Sequence, residues 1–95
     1  MPAYVTTEIE VTDPDGYGKY RSKVRNSLKA CSASFLVRGG EIGVLEGNWQ
    51  PKRIVICVYD NVGKARQRYD SDAYRELRKV RQDTARINMV AVEGV

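Results

Sequence analysis

Lys52-Arg53-Ile54-Val55-Ile56-Cys57-Val58-Tyr59 is the stretch on which the reading of the fold turns. It is rich in β-branched residues, with Pro51 before it and Asp60-Asn61 after it, and it reads as a strand. Strand side chains alternate between two faces. Ile54, Ile56 and Val58 form one wholly apolar set. Arg53, Val55, Cys57 and Tyr59 form a second set that is largely apolar. A strand greasy on both sides needs cover on both sides.

Outward from this strand the chain divides into familiar periods. Residues 4–11 alternate, with Val5, Thr7, Ile9 and Val11 against Tyr4, Thr6, Glu8 and Glu10. Thr12-Asp13-Pro14 ends that strand and starts a helix over residues 14–30, on which Tyr17, Tyr20, Val24 and Leu28 recur at helical spacing. Residues 33–38 read as a second strand, ended by Gly39-Gly40, with residues 42–46 as its continuation. Gly47-Asn48-Trp49-Gln50-Pro51 is a loop. A second helical region spans about residues 62–85, with Tyr69, Ala73, Leu77, Val80 and Thr84 on one face. Asp70-Ser71-Asp72 breaks it with a turn and a fresh cap. Residues 86–92 form the last strand. This β-α-β-β-α-β order predicts an α+β, ferredoxin-like fold. It has a four-stranded antiparallel sheet with its helices on one face, and residues 1–95 make a single domain.

Helices cover one face only. Strand 86–92 repeats the problem of strand 52–59, since Ile87, Met89 and Ala91 oppose Val90 and Val92. The expected cover is a second copy related by a two-fold axis, so the chain is predicted to be a homodimer. A monomer with a greasy sheet is the competing reading. Glu8 and Glu10 place their parity on the open side of the first strand. On the same reasoning Ser34, Leu36 and Arg38, and Arg53, Val55, Cys57 and Tyr59, are assigned to the open side of theirs. The mixture of apolar and charged residues there predicts a partly polar cleft at the dimer interface.

Composition excludes more than it selects. Hydrophobic residues make up 42% and charged residues 29%, an ordinary globular balance. The net charge of +4 arises wholly in residues 48–95, where ten basic residues meet six acidic ones. Those charges are interleaved along a helix and read as a solvated face, so nucleic acid is not the expected partner. No apolar run approaches a membrane span, and residues 1–5 carry no basic region followed by an apolar core. A reducing cytoplasm is the expected compartment, and no disulfide is expected between Cys31 and Cys57.

Several short stretches together resemble a known family. They are Pro2-Ala3-Tyr4-Val5, Val11-Thr12-Asp13-Pro14, Phe35-Leu36-Val37-Arg38-Gly39-Gly40, Leu45-Glu46-Gly47-Asn48-Trp49, Pro51-Lys52-Arg53, Tyr69-Asp70-Ser71-Asp72-Ala73-Tyr74 and Val92-Glu93-Gly94. Along nearly the full chain they resemble the bacterial "domain of unknown function 1330" family. The resemblance implies membership of the dimeric α/β-barrel superfamily, which includes cofactor-free quinone-forming monooxygenases, muconolactone isomerase-like enzymes and haem enzymes. The family itself has no settled activity. Two positions depart from its pattern. The family's His-Gly-Gly is Cys31-Ser32-Ala33 here, in a chain with no histidine, and its Trp before the second helical tyrosine is Arg68. Histidine-based catalysis and haem ligation by histidine have no residue to rest on.

Glu8 with Arg38 and Arg53 is the leading constellation. A semi-buried carboxylate can serve as a general base, and guanidinium groups can hold a carboxylate or an enolate oxygen. The structural alternative is that Glu8 pairs with an arginine to tolerate burial. Trp49, Tyr4 and Cys57 complete the predicted ligand-binding set, though Cys57 also reads as a small buried hydrophobe and Trp49 as packing against a partner. Tyr69 and Tyr74 read as structural. No metal is expected, because histidine is absent and the cysteines lie far apart; Glu8 and Glu10 alone are a poor cation site. Gly39-Gly40 is no phosphate loop, and strand 52–59 lacks the stacking rings of an RNA-recognition sheet. The function predicted is small-molecule binding in the open-face cleft, without a cofactor, extending to catalysis on an aromatic or carbonyl substrate. The alternative is a non-catalytic assembly module.

Overall fold

The computed structural model describes residues 1–30 and 34–95, with the backbone alone described for 25–30. The elements are β1 (Ala3–Val11), α1 (Pro14–Ala30), β2 (Ser34–Arg38), β3 (Ile54–Tyr59), α2 (Val62–Asp70), α3 (Asp72–Arg81) and β4 (Ala85–Glu93). The sheet is antiparallel in the order β2-β3-β1-β4. The expected α+β ferredoxin-like architecture is therefore the one observed, with the second helix split in two. Among the described residues, no helix is long and apolar enough to cross a membrane.

Local chemistry accounts for the boundaries. Asp13 Oδ1 accepts from the Gly16 amide at 3.3 Å at the start of α1. Asn61 caps α2 by accepting from the Lys64 amide at 2.8 Å. Ser71 has extended backbone angles, ends α2 and caps α3, its hydroxyl accepting from the Tyr74 amide at 3.1 Å. The expected helix to residue 85 stops at Arg81, because Gln82 leaves the helical region with a ψ of 134° and Asp83 takes a φ of 64°. Residues 42–46 do not continue β2. They lie in the loop between β2 and β3, and Leu45 is fully exposed there.

Register decides the faces. Residues opposite one another in an antiparallel pair point the same way. Val5 faces Cys57 and Ala91, Thr7 faces Val55 and Met89, and Ile9 faces Ile87. Ile9 packs in one buried cluster with Tyr17 and Tyr20 of α1 and Tyr74 and Leu77 of α3. Val5, Thr7, Ile9 and Val11 therefore face the helices, as expected. The assignment of β3 is reversed. Val55, Cys57 and Tyr59 face the helices, whereas Ile54, Ile56 and Val58 lie with Glu8, Thr6 and Tyr4 on the open face. Both sets of β3 are apolar, so alternation alone carried no vote, and the charge of Arg53 pointed the wrong way. In β2 the register shifts between Phe35 and Val37. That bulge brings Arg38 opposite Val55 and turns it to the helix side as well.

The core is unusually phenolic. Tyr74 is 2% exposed, and its hydroxyl lies 3.1 Å from that of Tyr20. The rings of Tyr17 and Tyr20 sit 5.4 Å apart. Tyr74→Phe leaves the buried Tyr20 hydroxyl without its partner and is expected to cost about 1–2 kcal/mol in urea denaturation. Tyr20→Phe combined with Tyr74→Phe should recover part of that loss, because no orphan remains. Strictly additive losses would show that the two hydroxyls are not coupled.

Candidate functional site

Three helices laid over a twisted sheet do not fill the space between them. A cavity of about 700 Å³ remains on the helix side. Val5, Thr7, Val55, Cys57 and Met89 contribute to its sheet wall, and Tyr17 and Tyr20 of α1 with Tyr74 of α3 line it from above. Its size suits a small organic molecule.

Arginine is the dominant charged residue of the lining. Arg53 enters at the N-terminal end of β3, and its guanidinium lies flat over Gly39. A Cβ on Gly39 would stand 2.5 Å from that group and displace it, and the φ of 73° at this residue favours glycine. The Arg53 Nε is buried and has no hydrogen-bond acceptor. Arg38 stacks on Phe35, 4.5 Å from the ring centroid. Arg68 is 7% exposed and lies 4.2 Å over the ring of Tyr74. Arg81 sits 5.4 Å from the Tyr20 ring and 5.7 Å from that of Tyr74. Arg21 and Arg66, both exposed, complete the set, and Asp70 is the one carboxylate lining the cavity among the described residues.

Burial keeps the neutral groups neutral. Desolvation raises the Tyr17 phenol, and the charges of Arg53, Arg81 and Arg21 only partly oppose it. Desolvation, with Tyr74 beside it, raises Tyr20 further. The Cys57 thiol is also pushed up by burial, against smaller opposing effects of Arg68 and Arg38. These groups are hydrogen-bond donors at neutral pH, and neither the phenols nor the thiol is a ready base or nucleophile. The arrangement gathers guanidinium charge and neutral hydroxyl donors around one cavity.

The residues singled out in the sequence fall into two places. Arg38, Arg53 and Cys57 line the cavity together. Glu8, Tyr4 and Trp49 are not with them. Glu8 and Tyr4 are on the open face, and Glu8 is engaged there, its carboxylate accepting from Trp49 Nε1 at 2.6 Å and from Asn88 Nδ2 at 3.1 Å. The Glu8–Arg38–Arg53 constellation is therefore separated by the thickness of the sheet, and the cleft lies on the helix face rather than the open face. Glu8 anchors the loop that carries Trp49. Cys31 lies outside the described residues. Sequence reading missed Tyr17, Tyr20, Tyr74, Arg68 and Arg81 as lining residues. One signal was available: Ala65 and Arg68, three apart, share a helix face, and both are buried.

The family model for a domain of unknown function (DUF1330) matches residues 2–95. No match is found among curated proteins. Similar solved structures include a protein of unknown function from Rhodopseudomonas palustris, with 16% identity and a TM-score of 0.76, covering 99% of this chain and 82% of that one. A cofactor-independent oxygenase from Streptomyces nogalater shares 6% identity with a TM-score of 0.64, covering 99% and 93%. A dimeric ferredoxin-like protein of unknown function from Thermobifida fusca shares 15% identity with a TM-score of 0.60, covering 99% and 92%. At such identities the likeness is one of fold.

Two outcomes are expected from this geometry. In a Cys31→Ser background, Cys57 should react with a disulfide reagent far more slowly than an unstructured thiol at pH 7–8. A raised pKa means the thiolate gains population only as pH climbs beyond the ordinary thiol range, so the rate should keep rising there; rapid labelling at neutral pH would contradict a buried, protonated thiol. Glu8→Ala should free Trp49, the one tryptophan, and lower its fluorescence anisotropy at a stability cost of roughly 1 kcal/mol, whereas Glu8→Gln retains an acceptor and most of the anisotropy. Unchanged anisotropy in Glu8→Ala would remove the anchoring role.

Proposed function

This chain belongs to the DUF1330 family, and from that premise we propose that it is a homodimeric small-molecule binding domain whose ligand sits between sheet and helices. The observation that carries this reading is the cavity of about 700 Å³, lined by tyrosines, arginines and apolar strand residues. An assembly module would be expected to fill such a space with side chains, so the open volume favours ligand binding. Catalysis without a cofactor on an aromatic or carbonyl substrate is the natural extension. The fold likeness to the Streptomyces nogalater oxygenase supports it, and the arginines supply charge stabilisation for an enolate or a similar anion.

The dimer rests on the other face. Val90 and Val92 are 57% and 55% exposed, and they share the open side with Val37, Ile54, Ile56 and Val58, with Leu36, 57% exposed, at the bulge beside Val37. A stable interface needs roughly 800 Å² from each partner, about the span of such a sheet face. A two-fold axis would set the patch against itself, and the dimeric relative from Thermobifida fusca supports that arrangement.

Two measurements test the proposal. Sedimentation velocity at micromolar concentration should give twice the 10.7 kDa chain mass for the parent protein and one chain mass for Ile56→Asp; a single-copy parent would end the dimer. In a heteronuclear NMR titration the neutral probe 1-naphthamide should shift the amides of Val55, Cys57 and Ala65, and Ala65→Phe, which occupies the cavity, should abolish those shifts. Failure of the probe to bind, or shifts confined to Val90 and Val92, would end the cavity assignment.

A further inference from the structure

We infer that the molecule bound between sheet and helices is itself an anion, an apolar or aromatic body carrying a carboxylate, and that Arg53 and Arg81 are the residues that recognise its charge. This rests on the cavity being the binding site, and it adds the chemical class of the occupant.

Charge balance is the first argument. Among the described residues, Arg53 and Arg81 line the cavity half-buried, and Asp70 is the one carboxylate in its lining. Guanidinium groups partly withdrawn from water are favoured by an anion near them. Among the described residues the recorded ion pair is Lys79 with Glu76, on the outside of α3, and neither Arg53 nor Arg81 has a carboxylate partner. Tyrosine faces lie near Arg81, and π faces attract a cation, but they carry no net charge.

Hydrogen bonding is the second. Arg53 Nε is a buried donor without an acceptor. Guanidinium N–H groups match the two oxygens of a carboxylate in a paired fork. Its guanidinium lies over Gly39, in the space a side chain there would take. Arg53 is half-buried and lines the cavity, so its terminal N–H groups are the donors that a carboxylate there would meet.

The third is the lack of a base on the cavity walls. The Cys57 thiol and the Tyr17 and Tyr20 phenols hold their protons, and Asp70 is exposed at the rim. A ligand that arrives already ionised needs no proton removed, and the neutral hydroxyls then serve as further donors. The apolar strand residues and the tyrosine rings suit the ligand's hydrocarbon body.

Isothermal titration with a matched pair of probes separates this inference from the reading beneath it. At pH 7.5, 1-naphthoate should bind at least tenfold more tightly than the isosteric, uncharged 1-naphthamide. Arg53→Met should reduce that preference, taken as the ratio of the two affinities in the same variant, below threefold, and Arg53→Lys, which keeps the charge and loses the fork, should fall between. Should Arg53→Met fail to fold, Arg81→Gln gives the same test from the other side of the cavity. Equal affinities for the two probes would overturn the anion and leave the cavity site standing. Failure of both probes would overturn the cavity site itself. Binding of 1-naphthyl phosphate tighter than that of 1-naphthoate would overturn the carboxylate in favour of a phosphate.

Discussion

The pairing of β1 with β3, Val5 against Cys57 and Thr7 against Val55, is the constraint from which the molecule's organisation follows. A slip of one residue would send every β3 side chain through the sheet. In the observed register Arg53, Val55, Cys57 and Tyr59 join the helix side, and Ile54, Ile56 and Val58 go to the open side. One face thereby carries the apolar residues of β3 beside Glu8 and Thr6, and the other becomes the wall of a charged cavity. The two properties have one cause, since a strand so uniformly apolar must assign its single arginine to one side or the other.

The same uniformity explains what could be read in advance. β1 alternates polar with apolar, and its faces were legible from Glu8 and Glu10 alone. The break at Ser71 was legible too, because Asp-Ser-Asp supplies both a stop and a cap. β3 offered no contrast between its parities, so its orientation is a property of the pairing and not of the segment. β2 was misread for a different reason. A bulge between Phe35 and Val37 reverses the alternation at Arg38, and nothing in five residues announces it. The candidate site suffered accordingly. Arg38, Arg53 and Cys57 do lie around one cavity, whereas Glu8 lies across the sheet from them. The tyrosines were passed over because a tyrosine on an apolar helix face looks like core, and these are core and cavity wall at once.

Arg68 takes a buried place beside Tyr74, where a large ring would be at home. An arginine laid on a phenol offers comparable flat area together with a charge. Part of the positive charge of the second half of the chain, which read as a solvated helix face, lines the cavity instead, through buried Arg68 and half-buried Arg53 and Arg81.

Gly39 gives this arrangement an unexpected dependency. The Arg53 guanidinium occupies the space that a side chain at position 39 would take, although Gly39 itself does not line the cavity. Divergent copies of the chain could thus retune which guests they accept through the β2–β3 connection, leaving every wall residue untouched. Heredity at this spot acts by keeping a space empty.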